Sequence, residues 1–234
     1  MARSKSVFAI LLVLSFFFNG AQAWFWRRKI LIGYGVVSSK EAARINEKNK
    51  LRVEPFEYTS QLGPGFYIVN KASGYSYLEG DWFCAIKARK WKTKRVPKAY
   101  IPPSYVKKPS TRNRAQVHPS GVANKQIKLW GQKEEVFHEY LRTELSISEP
   151  EKALRFSWVK DIEWILQMNI PMDVVNNDDL DLWAKCFPTP EELWKYSKEV
   201  VDWPAWNIKG HPGNVRAPAK GRPVPKTKHI VGTS

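Results

Sequence analysis

The residue types that could do chemistry are few and widely spaced in this chain. Four histidines, His118, His138, His211 and His229, share no metal-ligand spacing, and Cys84 and Cys186 lack the paired arrangement of a thiolate cluster. Asn177, Asp179 and Asp181 copy the first three ligands of a calcium loop. Leu182 then stands at the glycine position and Pro188 where the bidentate glutamate belongs, so the stretch reads as an N-cap and turn before a short helix. Gly33-x-Gly35 begins like a dinucleotide loop but lacks the third glycine, the acidic residue further on and the βαβ repeat. Glu134-Glu135 and Asp178-Asp179 read as simple charge pairs, and no serine, cysteine or lysine sits in a nucleophile motif. The expectation is a protein that is not an enzyme, with no catalytic residue, no cofactor and no metal.

What the sequence offers instead is charge and aromatic surface. Lys+Arg number 38 against 22 Asp+Glu, a net charge of +16 that favours nucleic acid, anionic lipid or acidic protein as partners. The charge is segregated. Residues 82–133 carry 14 basic groups and no acid, residues 134–203 carry 7 basic and 16 acidic groups, and residues 204–234 are again purely basic with 6 cations. Within the basic stretch Lys87, Arg89, Lys90, Lys92, Lys94, Arg95, Lys107, Lys108, Arg112 and Arg114 are interleaved with Trp91, Tyr100 and Tyr105. Cations on phosphates with rings stacking on bases would look like this, and so would an extended arm against an acidic protein groove or lipid headgroups. An arm against protein or lipid is the leading expectation and RNA the lesser one, since no RNA-binding fold signature accompanies the run.

These residues need elements to position them. Arg3 and Lys5 precede an apolar run from Val7 to Phe18. Extended to Trp26, the run is long enough to span a bilayer, with Trp24, Trp26, Arg27, Arg28 and Lys29 as an interfacial anchor. The alternative is a signal peptide, 1–23, cut after Ala21-Gln22-Ala23. Lys29–Ser39 reads as a strand running into a helix at Ser39–Ile45. Residues 65–91 read as a small antiparallel meander around turn-like Lys71-Ala-Ser-Gly74. Gln132–Ile147 predicts a helix by its apolar spacing. Ser148-Glu-Pro-Glu151 and Thr189-Pro-Glu-Glu192 look like capping boxes opening two more, with Trp158, Trp164, Trp194, Trp203 and Trp206 as core or interface. Cys84 and Cys186 are expected to be free, buried thiols.

The assembled expectation is a loosely modular α+β chain. Residues 1–29 form a transmembrane anchor, 30–64 a juxtamembrane linker, 65–91 a small β module, 92–131 a basic extended arm, 132–203 an acidic helical block and 204–234 a Pro/Gly-rich tail. That tail is expected to order only against a partner. The function expected is a non-catalytic accessory subunit of a membrane assembly. Its expected setting is a respiratory or ATP synthase complex of the mitochondrial inner membrane, with the body on the matrix side. The alternatives are an RNA-associated structural protein and a secreted cationic protein that binds anionic surfaces.

Overall fold

A computed structural model describes residues 28–55, 60–74, 78–107, 125–160, 162 and 165–213. Their centre is one seven-stranded mixed sheet in the order β4-β7-β8-β2-β1-β3-β9, built from β1 (Lys29–Ser38), β2 (Gly65–Val69), β3 (Asp81–Arg89), β4 (Lys98–Tyr100), β7 (Leu154–Trp158), β8 (Leu166–Pro171) and β9 (Trp183–Phe187). Only β4 and β7 run parallel among the paired strands of this sheet. A separate hairpin pairs β5 (Ser104–Val106) with β6 (Gln126–Lys128). The helices are α1 (Ser39–Lys48), α2 (Lys90–Arg95), α3 (Glu134–Thr143), α4 (Met172–Asn176) and α5 (Pro190–Tyr196).

This sheet replaces the loosely modular plan. Residues 65–69 and 81–89 are strands, as the expected meander requires, but β1 lies between them and they do not pair with each other. The expected helical block is overturned over 154–171. Its capping device yields one 3-10 turn, Pro150–Lys152, and two buried strands follow. Leu154, Phe156 and Trp158, and then Leu166, Met168 and Ile170, alternate with period two as well as fitting a helical stripe, and pairing across the sheet decides between the two periods. The transmembrane architecture is corrected too: among the described residues no helix is long and apolar enough to cross a membrane. The segment on which that expectation rested, including Trp24, Trp26 and Arg27, lies outside the described residues.

β1 is central because both of its faces are covered, and its sequence is accordingly apolar almost throughout, with Ile32 and Tyr34 fully buried. Gly33 permits the close approach of β2, since a Cβ there would stand 2.7 Å from the Val69 carbonyl oxygen. A bulge between Leu31 and Gly33 takes Ile32 out of the β1–β3 register, and the buried Trp203 Nε1 donates to the Ile32 carbonyl at 2.8 Å. Trp203 also packs edge-on against Phe156, at 5.3 Å between ring centroids.

Both sheet edges are blunted. On the β9 side, α1 begins at its Ser38 cap, whose hydroxyl accepts from the Glu41 amide, and it buries Ala42 and Ile45 in the core. Its outer turns present Asn46 and Asn49 to the strand. Asn46 exchanges two hydrogen bonds with the Cys186 backbone, and Asn49 Nδ2 donates to the Ala184 carbonyl at 2.9 Å. On the β4 side the chain near Lys209 does the same work: Lys209 N donates to the Lys98 carbonyl and Tyr100 N to the Lys209 carbonyl. The root of the C-terminal tail, through Gly213, is therefore held by the domain itself, while 214–234 lie outside the described residues.

Cys84 and Cys186 form a disulfide, which corrects the expectation of free thiols. The two are register partners on β3 and β9, and the Cys186 amide and carbonyl both turn outward to Asn46. They are thus a non-hydrogen-bonded pair, the arrangement in which facing residues of an antiparallel ladder come closest.

Candidate anion-binding surface

Several cations are consumed inside the fold. Asp181, held at φ 50°, receives Lys29 Nζ at 2.7 Å and the Arg89 guanidinium, and Lys50 bridges it to Asp178. Burial pushes the Asp181 carboxyl up, but the Lys29 and Arg89 hydrogen bonds and charges outweigh it and hold the group well below the usual carboxylate range. Of the calcium-like Asn177/Asp179/Asp181 spacing, only Asp181 enters this ion-pair hub, and its acidic companion there is Asp178. Among the described residues no cluster of acids, histidines and cysteines fits a metal ion.

A second internal network surrounds Arg155, which is fully buried. Its Nη1 and Nη2 donate to the two Glu134 carboxylate oxygens at 2.7 and 2.6 Å, Nη1 also donates to the Leu62 carbonyl, and the guanidinium lies over Phe137. Gly63, at φ 88°, admits this pair beneath the loop: a Cβ there would fall 2.0 Å from Glu134 Oε1. His138 Nε2 lies 3.3 Å from Glu134 Oε2 without hydrogen-bond alignment. A depression of about 250 Å³ opens above, lined by Ser60, Gly63, Pro64 and residues 132–135. With Glu134 held by both guanidinium nitrogens of Arg155, this is a latch joining the loop and α3 to the sheet.

One group of cations lies on the end of β3 and the helix that follows it. Helix α2 carries Lys90, Lys92, Lys94 and Arg95 with no acid in its six residues, and Lys92 and Arg95 lie over the Trp91 ring at 5.9 and 5.8 Å. Beyond it Lys98 is buried, and its ammonium donates to the Lys94 and Val96 carbonyls, closing the helix end. Burial pulls the Lys98 ammonium down to about 8. On the neighbouring strand, Trp183, Lys185 and Phe187 alternate onto one face, register with Lys87, Ala85 and Phe83, and meet Tyr196 of α5. Lys87 Nζ donates to the Tyr196 hydroxyl at 2.7 Å and sits 5.2 Å from the Trp183 ring centroid. Lys185 stands 5.5 Å from Phe187 and 5.9 Å from Tyr196.

The candidates expected from the sequence divide accordingly. Lys87, Lys90, Trp91, Lys92, Lys94 and Arg95 fall on one continuous piece of chain, the end of β3 and all of α2. Lys29 and Arg89 are held by Asp181, and Lys107 pairs with Glu139 at 2.5 Å. Arg28 accepts the Lys90 amide through its carbonyl. Lys108, Arg112, Arg114 and Trp164 lie outside the described residues. Of the other tryptophans, Trp203 is core, Trp206 is half-buried against Phe156, Trp158 donates to the Gly213 carbonyl and Trp194 is exposed. Trp183, Lys185, Phe187 and Tyr196 were not expected as a group. The alternation at 183, 185 and 187 is their signal in the sequence, hidden there by a helical reading of the same stretch.

Residues 60–211 match DUF5910, a family of unknown function, and the chain belongs to that family. No curated protein and no solved structure matches it. The match begins after β1 and α1, although β1 is the strand that joins β2 to β3. With no membrane-crossing helix among the described residues and nothing in the family match pointing to mitochondria or respiration, that expected setting is withdrawn.

Proposed function

We propose that the chain is a non-catalytic binding domain of an oxidising compartment, stapled by Cys84–Cys186, which docks onto an acidic macromolecule through the acid-free stretch between Lys87 and Lys133. The fate of that stretch's cations carries the reading. Arg89 and Lys107 are spent on Asp181 and Glu139, and Lys98 is turned inward. Lys87, Lys92, Lys94, Arg95, Lys125, Lys128 and Lys133 form no ion pair with any described carboxylate. Like charges crowded on α2 repel one another, and an anionic partner relieves that repulsion while releasing counterions.

Disulfides persist outside the reducing cytosol, so the Cys84–Cys186 bond supports passage through a secretory route. The N-terminal segment suits such a route when it is cut after Ala23. The test is retention on a sulfated-polymer resin. The purified protein should elute late in a salt gradient, and the Lys92→Glu/Lys94→Glu variant clearly earlier, while Lys40→Glu on the exposed side of α1 shifts elution less. Elution of the double variant together with the wild type rejects the reading.

A further inference from the structure

We infer that the outer face of β9 is a subsite for acidic sugars, formed by Trp183, Lys185 and Phe187 with Lys87 and Tyr196. This deepens the docking reading above and rests on it. Aromatic rings and ammonium groups alternate across the face: Lys87 lies between Trp183 and Tyr196, and Lys185 between Tyr196 and Phe187. The rings hold the two ammonium groups in place, so the entropy of ordering long side chains is met before any ligand arrives. Neither lysine pairs with a described carboxylate. Strand pairing fixes the platform, the disulfide sits one residue away on the opposite face, and buried Leu193 anchors α5 beneath Tyr196.

A sugar ring offers a C–H face that packs on an aromatic ring, and a uronic acid adds a carboxylate within reach of an ammonium. Nucleotides also combine a stacking face with an anion. The disulfide favours the glycan over the nucleotide, because disulfides persist in extracellular surroundings where acidic polysaccharides are abundant. Glu192, one turn before Tyr196 on α5, opposes an anionic ligand from its side of the face.

Calorimetric titration of the full chain with an oligomer of galacturonic acid tests this, beside a neutral galactose oligomer of equal length and a single-stranded RNA. The uronate oligomer should bind about tenfold tighter than the neutral one, and Lys185→Glu should weaken it about tenfold, the scale of one desolvated cation contact. Tyr196→Ala should weaken both sugars, and Glu192→Gln should tighten the uronate. Unchanged uronate binding by Lys185→Glu and Tyr196→Ala, with salt-sensitive retention intact, overturns the subsite and leaves the docking reading standing. RNA binding tighter than uronate overturns the ligand class, and no binding to any polyanion removes both.

Discussion

Asn46 grips the backbone of Cys186 from both sides, its Nδ2 donating to the carbonyl at 2.9 Å and its Oδ1 accepting from the amide at 2.8 Å. One side chain thereby takes the place of a missing neighbour strand at the cysteine that carries the staple. Asn46→Ala leaves an edge amide and carbonyl with water alone and should cost about 1–2 kcal/mol. Asn46→Asp keeps the acceptor but sets a carboxylate against the carbonyl, and should cost at least as much. Urea unfolding of the oxidised protein measures both.

Strand β1 lies outside the family match yet holds the sheet together. Without residues 28–59 the order β4-β7-β8-β2-β1-β3-β9 falls into a four-stranded and a two-stranded piece. The fragment 60–211 should therefore lack a cooperative thermal transition, whereas 28–213 should show one by circular dichroism.

Trp203 ties the C-terminal crossing segment to the β1 bulge. Trp203→Phe keeps most of the packing on Phe156 but leaves the Ile32 carbonyl buried without its donor, at a cost of about 1–3 kcal/mol. Trp203→Ala adds a cavity and should cost about 3–5 kcal/mol. A chemical-denaturation series that ranks the two equally would show that the hydrogen bond alone, with no contribution from packing, carries the contact.

Asp181 and Lys98 contribute at opposite ends of the pH profile. Asp181 titrates lower in the folded chain than in the unfolded one, so its contribution is complete above about pH 4 and drains as pH falls toward the native value. Lys98 titrates at about 8 when folded, against an ordinary value of about 10.4. Between those values the unfolded chain binds more protons, so this group makes stability rise with pH across that window. Asp181→Asn should flatten the acid limb and Lys98→Met the alkaline one, read from urea midpoints between pH 3 and 10.

The parts of the fold legible in the sequence are those whose cause is local. Ser38-Ser39 at the start of α1, the apolar stripe Phe137, Tyr140 and Leu141 in α3, and the Thr189 hydroxyl accepting from the Glu192 amide all follow from neighbouring residues. The strands at 154–158, 166–171 and 183–187 were not legible, because a run such as Leu154 to Trp158 fits both periods and only its pairing partners choose between them. The disulfide depends on a register between strands 102 residues apart. Of the candidate surface, the basic run through α2 was plain from charge alone. The aromatic partners on β9 and α5 come to Lys87 only through pairing and packing.

The proposed docking on an extracellular polyanion presupposes an oxidising compartment, and peptide mapping of the protein isolated from its own source, alkylated before any reduction, tests that most directly. The Cys84–Cys186 peptide should be recovered linked in nearly all molecules, and closing a loop of this length should contribute about 4–5 kcal/mol against the reduced form. Recovery of both cysteines alkylated, with no linked peptide, would place the chain in a reducing compartment and contradict the reading.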